Sequence, residues 1–309
     1  MYKLTWFSNP FENALFLSTA YRLGTLLGSG LFVILIRGRG RLQDPGDAVL
    51  FKRWRTWLAI APTYVLAILG GHVTTAILLA LISFQATKEY AALVRLPPKY
   101  RLVLLTFGLI PAPVALLEIT GFYFLPPLVL VMATLQPLVF GDVRHGVRHL
   151  AFAVVGWAYI PWLLAHAILI ERWVTDGSGI LIALGTAVAC SDVGAFVVGT
   201  SFGRHKMAPR VSPNKTYEGA VGNLLGACLG LALMHFALPD EIHRLAIVTL
   251  PVLIALGAIW GDLVESFIKR QFGVKDAGAW LPGFGGLLDR VDSFIMVTPL
   301  VYYFFILLK

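Results

Sequence analysis

Near the end of this sequence, acidic residues and a lysine recur at helical spacing. Asp262, Glu265, Ser266 and Lys269 stand at intervals that put them on one face of a helix. Asp289 and Asp292, with Arg290 between them, share a face of a second helix. RQFGVKDAGAWLPGFGGLL runs between the two, and its Gly and Pro residues mark a turn-forming loop. Such a loop brings the two helix ends together and sets four carboxylates opposite one another. Carboxylates at close quarters repel unless they are protonated or neutralised. Oxygen donors without His or Cys suit a hard cation such as magnesium, which keeps some waters and bridges carboxylates to phosphates. Lys269, Arg270, Lys275 and Arg290 add a phosphate-sized patch of positive charge. A set of interfacial salt bridges tying the helices would have the same spacing, and spacing alone does not separate the two readings.

A second polar stretch, SDVGAFVVGTSFGRHKMAPRVSPNKTYEGAVGN, places Asp192 inside an apolar run and follows it with a basic loop. SPNKTYEG reads as a helix start, with Asn214 or Thr216 as the cap and Glu218 in the first turn. A helix N-terminus with Lys215 beside it is a natural anion site. The basic charges follow equally well from membrane topology, and a single Asp192 is more commonly a packing residue than a ligand.

The elements that position these residues are membrane helices. Of 309 residues 58% are hydrophobic and only 14% charged, against roughly 25% charged in a soluble domain. The apolar residues fall in runs long enough to span a bilayer, which takes about 20 residues. Spans are predicted near 14–36, 56–70, 73–94, 101–117, 122–140, 148–172, 179–202, 217–237, 245–268 and 290–308. Gly70-Gly71 makes a tight turn between the second and third. Pro111, Pro113, Pro126 and Pro127 kink the fourth and fifth, which neighbouring helices can accommodate. The first run lacks a basic n-region and cleavage site, so it reads as a retained span. Loops on one side carry Arg37, Arg39, Arg41, Lys52, Arg53, Arg55, Arg95, Lys99, Arg101, Arg144 and Arg148. Arg204, Lys206, Arg210, Lys215, Lys269, Arg270, Lys275 and Arg290 continue the same side. The other side has Lys3, Arg172, Arg244 and Lys309. This asymmetry predicts an all-α polytopic protein of about ten transmembrane helices with both termini on the non-cytoplasmic side. It also accounts for the net charge of +8 without nucleic-acid binding. Residues 1–178 form an N-terminal bundle. Residues 179–309 form the region that carries the chemistry, with cytoplasmic loops 203–216 and 269–290. Cys190 and Cys228 lie in apolar runs and imply neither a disulfide framework nor a metal cluster. No internal repeat is evident. Gly222, Gly226 and Gly230 line one helical face, which suits a homodimer seam or, more commonly, close packing within one bundle.

An Asp or Lys at mid-span costs roughly 2.5–3.5 kcal/mol on insertion scales, so a concentration of them calls for a functional reading. The concentration here resembles the phosphatidate cytidylyltransferase family, also called CDP-diacylglycerol synthase. That family's C-terminal pattern reads Ser-x-x-Lys-Arg, four residues, Lys-Asp, then Pro-x-His-Gly-Gly, two residues, Asp-Arg-x-Asp. In SFIKRQFGVKDAGAWLPGFGGLLDRVDS, Ser266, Lys269, Arg270, Lys275, Asp276, Pro282, Gly285, Gly286, Asp289, Arg290 and Asp292 match it at the same spacing. GDLVES, SDVGAF and SPNKTYEG are similar to three further elements of the family. The likeness is close over roughly 185–309; the N-terminal half is similar only as a hydrophobic bundle. Phe284 stands where the family has His, and Val193 where it has Thr. Phe can neither titrate nor donate a hydrogen bond, whereas the carboxylates are intact, which favours an active enzyme with a shifted lipid substrate over an inactive one.

The resemblance implies attack by the phosphate of phosphatidate, or of a related lipid phosphate, on the α phosphorus of CTP. The products are CDP-diacylglycerol and pyrophosphate, made for phospholipid synthesis. It implies magnesium on Asp262, Glu265, Asp289 and Asp292, with a second metal or a monovalent cation left open. Asp262, Lys269, Asp289, Arg290 and Asp292 form the catalytic set. Ser212, Asn214, Lys215, Arg270, Lys275 and Asp276 are placed at the nucleotide or lipid phosphate, and Asp192 is a lesser candidate. The site faces the cytoplasm of a bacterial inner membrane, with membrane lipids around the spans. A CTP-dependent lipid kinase, a cation transporter and a non-catalytic scaffold are the competing classes; acids strung through the membrane depth would mark the transporter.

Overall fold

The computed structural model describes residues 6–37, 45–239, 244–281, 283 and 285–308. Pro282 and Phe284 of the glycine-rich loop lie outside the described residues, as do Lys3, Arg39, Arg41 and Lys309 of the loop charges. The helices are α1 (Leu15–Arg37), α2 (Pro45–Leu69), α3 (His72–Leu93), α4 (Pro98–Gly108), α5 (Pro111–Leu117) and α6 (Ile119–Phe140). They continue with α7 (Gly146–Trp157), α8 (His166–Trp173), α9 (Gly177–Phe202), α10 (Tyr217–Leu233), α11 (Arg244–Gln271) and α12 (Leu288–Leu307). Among the described residues eight helical stretches are long and apolar enough to cross a membrane, with α4 and α5 forming one and α7 and α8 another. The protein is therefore an α-helical polytopic membrane protein.

Two of the ten expected spans differ from that description. α2 begins eleven residues before the expected start, carrying Lys52, Arg53 and Arg55 ahead of its apolar stretch. α10 is 17 residues long and ends at Leu233 rather than 237. Its glycine stripe explains how a short helix is held. Gly222, Gly226 and Gly230 lie against the backbone of Gly194, Cys190 and Ala187 on α9, where a Cβ would collide. Small residues let helix backbones approach closely where lipid supplies no hydrophobic drive. The stripe is thus a seam within the chain.

Proline sets two breaks. Pro111 opens α5 after the two-residue gap that follows α4. Pro161 lies in a π-helical turn, Ala158–Trp162, between α7 and α8. Such turns occur where the i→i−4 ladder is interrupted and are frequent at functional sites. Gly71, at φ 105°, makes the α2–α3 turn, a conformation that favours glycine. At this end of the bundle His72 Nδ1 hydrogen-bonds Glu171 Oε2 at 2.5 Å, and Ser178 Oγ donates to Glu171 Oε1 at 3.2 Å. The guanidinium of Arg22, which sits within the first span, lies 4.0 Å from the ring centroid of Phe236, a cation–π contact.

The opposite end carries the loops. Residues 203–216, expected as plain loop, contain a small antiparallel hairpin of β1 (Lys206–Ala208) and β2 (Ser212–Thr216). β2 runs directly into α10, whose N-cap is Thr216; its hydroxyl accepts from Gly219 N at 3.0 Å.

Candidate functional site

The site is built where α3, α11, α12, the hairpin and the loop 272–287 meet. α11 carries Asp262, Glu265 and Lys269 on one face, as their spacing requires. Lys269 Nζ lies 2.5 Å from Glu265 Oε2 and 2.7 Å from Asp289 Oδ1, so one buried ammonium joins α11 to the first turn of α12. Asp289 also gathers the glycine-rich loop. Ala277 N donates to it at 3.0 and 3.2 Å and Gly286 N at 2.8 Å. A carboxylate accepting several donors is well suited to stay ionised in a buried place.

A second group forms beside the first. Lys215 of the hairpin makes an ion pair with Asp262. Burial pulls the Lys215 ammonium below its ordinary pKa, while Asp192 and Asp292 pull it back up and Arg290 opposes them. Those four groups are therefore within electrostatic reach of one another. Ser293 Oγ donates to Asp192 Oδ1 at 3.4 Å, and Asp292 is buried one turn beyond Asp289. Next to them Ser191 Oγ donates to Asn223 Oδ1, tying α9 to α10.

Several buried polar atoms of this region have no hydrogen-bond partner, Asn223 Nδ2 among them. No hydrogen-bond donor reaches Glu265 Oε1, and the Tyr159 hydroxyl makes no hydrogen bond, although both are buried. Tyr159 comes from the π-helical turn and interacts electrostatically with Asp292 and Glu265. Buried polar groups are nearly always satisfied, so an open carboxylate oxygen and an open hydroxyl in one electrostatic neighbourhood mark places for a ligand group, water or ion. Among the described residues no three acid, His or Cys side chains gather closely enough to cage an ion by themselves. The acids are instead interleaved with Lys215 and Lys269. The donor set is nevertheless all oxygen, and Glu265 Oε1 is open, which fits a hard cation that keeps several waters.

The remaining candidates lie at the rim. Arg270 is anchored by backbone, its Nε donating to Val211 O at 3.3 Å and a terminal nitrogen to Val274 O at 3.2 Å. This ties the end of α11 to the hairpin. Ser212 is half-buried and Asn214 exposed on β2; Lys275 and Asp276 are exposed in the loop. None of these four side chains hydrogen-bonds the acids among the described residues. Glu218 holds the hairpin entry by accepting from Arg204 N and His205 N.

Two further residues reach the site without being marked by motif or spacing. Glu89 on α3 is buried, and its Oε2 accepts from Leu288 N at 2.9 Å, at the start of α12. Arg53 on α2 donates from Nε to Gly283 O at 3.0 Å. Both come from the N-terminal half. A lone acid within a long apolar run is the one sequence signal for Glu89; nothing marks Tyr159 apart from the nearby proline.

Residues 51–308 match the family model of the cytidylyltransferase family. An Escherichia coli (strain K12) protein, described as uncharacterized protein YnbB, is 34% identical over 279 residues, covering 85% of this chain and 90% of that one. The phosphatidate cytidylyltransferase of Staphylococcus haemolyticus is 39% identical over 127 residues, covering 41% of this chain and 49% of that enzyme. That of Mycobacterium leprae is 40% identical over 136 residues, covering 44% and 43%. This chain thus spans about half the length of those two named relatives. With the match running over most of its length, the chain belongs to the cytidylyltransferase family of nucleotidyltransferase enzymes.

Proposed function

We propose that this protein transfers CMP from CTP to phosphatidate, or to a closely related lipid phosphate, giving CDP-diacylglycerol and pyrophosphate with magnesium as cofactor. The observation that carries the reading is the interleaving of buried acids and lysines at one end of a membrane bundle, around an unpartnered carboxylate oxygen and hydroxyl. The names of the relatives support the substrate. Alternation of the loop charges supports ten spans, with both termini outside and this end of the bundle at the cytoplasmic face of a bacterial inner membrane. A water-soluble nucleotide and a lipid headgroup can meet there.

The chemistry accounts for the residues. A lipid phosphate oxygen attacks the α phosphorus of CTP, a new P–O–P linkage forms, and the bond to the β phosphate breaks. The attacking oxygen is already anionic at neutral pH, so no protein base is needed. The obstacle is bringing two anions together, and the gain comes from positioning and charge neutralisation. Lys215, Lys269, Arg270 and Arg290 supply positive charge at the interface, with Lys275 on the loop above. Asp262, Glu265, Asp289 and Asp292 would hold magnesium, which when bound neutralises phosphate charge and orients the phosphates. Lys215 and Lys269 keep these acids neutralised and assembled when no ion is held.

The test is incubation of purified protein with phosphatidate, labelled CTP and magnesium, followed by product identification. CDP-lipid with pyrophosphate supports the reading. Lipid phosphate with CDP from a lipid alcohol would assign a kinase instead, and absence of CTP binding would assign a scaffold.

Tyr159 gives a finer prediction. If its hydroxyl donates to a charged ligand group, the bond is worth about 1.5–3 kcal/mol, or roughly ten- to a hundredfold in rate. Tyr159→Phe is expected to insert and melt as the wild type does and to lose that factor in kcat. An unchanged kcat would remove the hydroxyl from the site.

A further inference from the structure

Glu89 has no part in the reaction as described, yet it is one of five buried acids among the described residues, 7% exposed. Its carboxylate is not paired with a Lys or Arg among the described residues. Oε1 accepts from Gln85 Nε2 at 2.9 Å, one turn earlier on α3, and Oε2 accepts from Leu288 N at 2.9 Å. Two glycines make room for it. A Cβ at Gly278 would lie 3.0 Å from Glu89 Cδ, and a Cβ at Gly286 would lie 2.6 Å from Glu89 Oε2 and 3.0 Å from Asp289 Oδ2. Both carboxylates therefore close on the space that a side chain at Gly286 would fill.

Leu288 is the first residue of α12, and the cap position is taken by Leu287, whose side chain offers no hydrogen bond. The first N–H groups of a helix have no partner within it, and a buried helix start needs acceptors from elsewhere. Here a distant acid serves the first helical N–H, and a second acid holds the residue just before the cap. Asp289 reaches back to Gly286 N, and Glu89 reaches across from α3 to Leu288 N. The negative charge also lies where the helix dipole favours it.

We propose that Glu89 is a positioning residue: a helix cap supplied by a distant helix, which fixes the first turn of α12 and so the direction in which Asp289 and Asp292 face the ligands. This rests on the role given above to those two aspartates. The reach of Glu89 makes the N-terminal bundle a working part of the site.

Glu89→Ala and Glu89→Gln, in the full-length protein purified in detergent, separate this from a general packing role. Two readouts are needed: hydrogen exchange of peptides covering 275–290 and 119–140, and kcat and KM for CTP in CDP-lipid formation. Glu89→Ala is expected to speed exchange in 275–290 but not in 119–140, and to lower kcat at least tenfold. Glu89→Gln is expected to stay within about threefold of wild type, because its amide oxygen can accept from Leu288 and Gln85 can turn its own amide to match. Wild-type exchange at 275–290 in the Ala variant would overturn the cap, whatever the activity. Faster exchange there with unchanged kcat would overturn the positioning role. If the Ala variant fails to fold, the Gln variant decides: loss of activity beyond tenfold would make the charge itself functional and reject the proposal. An inactive wild type would instead reject the substrate reading while leaving the exchange result to judge the cap.

Discussion

Asp289→Asn is expected to insert normally and to lose CDP-lipid formation by roughly a hundredfold to a thousandfold, corresponding to about 3–4 kcal/mol. The carboxylate accepts from Lys269 Nζ, Ala277 N and Gly286 N, using both oxygens. An amide has one acceptor and one donor group, so in Asn an NH2 must face an N–H or the ammonium. Whichever way it turns, one edge of the glycine-rich loop or the Lys269 contact is released. Lys269 is then neutralised by Glu265 alone, and the glycine-rich loop loses its anchor to α12. The defect therefore combines lost charge with lost order. Asp289→Glu keeps the charge but shifts it by one methylene, and is expected to recover little. Purified variants assayed with saturating CTP check this. Activity of Asp289→Asn within a few fold of wild type would remove Asp289 from the catalytic set.

The second large effect is expected at Lys269. The ammonium is enclosed between Glu265 and Asp289, both nearly inaccessible. Taking away one partner of a buried ion pair costs about 3–5 kcal/mol, because the charge left behind has neither water nor a counter-ion. Lys269→Met leaves two such carboxylates facing each other. It is expected to lower the thermal midpoint markedly and to abolish activity. Adding Glu265→Gln removes one of the stranded charges. The double variant is thus expected to recover a good part of the stability while remaining inactive, a coupling that a double-variant cycle reads directly. Equal thermal midpoints for Lys269→Met and wild type would show that Lys269 is not the link between α11 and α12.

The helices and the acidic face are legible in the amino-acid sequence. Apolar run length locates the helices, since each run must cross the same hydrocarbon thickness. The shared face of Asp262, Glu265 and Lys269 follows from helical geometry, and Thr216 is one of the two caps expected for α10. Other features depend on contacts that leave no local trace. Glu89 and Leu288 are separated by 199 positions, and no periodicity links them. Tyr159 is one aromatic among many in an apolar helix, and its place in the π-helical turn leaves no local trace in the sequence. The hairpin at 206–216 is too short for alternation to show. Arg22 has no explanation in sequence, because its partner Phe236 lies just past the far end of α10. Acid spacing brings out the carboxylates but not their order in space, in which Lys215 and Lys269 stand between them.

The link from Glu89 to Leu288 also bears on how the protein is made. A ribosome delivers α3 to the membrane long before α12 exists, so the Glu89 acceptor on the α12 side is unmet through most of synthesis. Lys269 waits in the same way for Asp289. The arrival of α12 closes both contacts at once, so the site is assembled only after α3, α11 and α12 have all entered the membrane. A chain that stops short of α12 carries buried acids and an ammonium with incomplete partners, the kind of polar defect that membrane quality control can recognise.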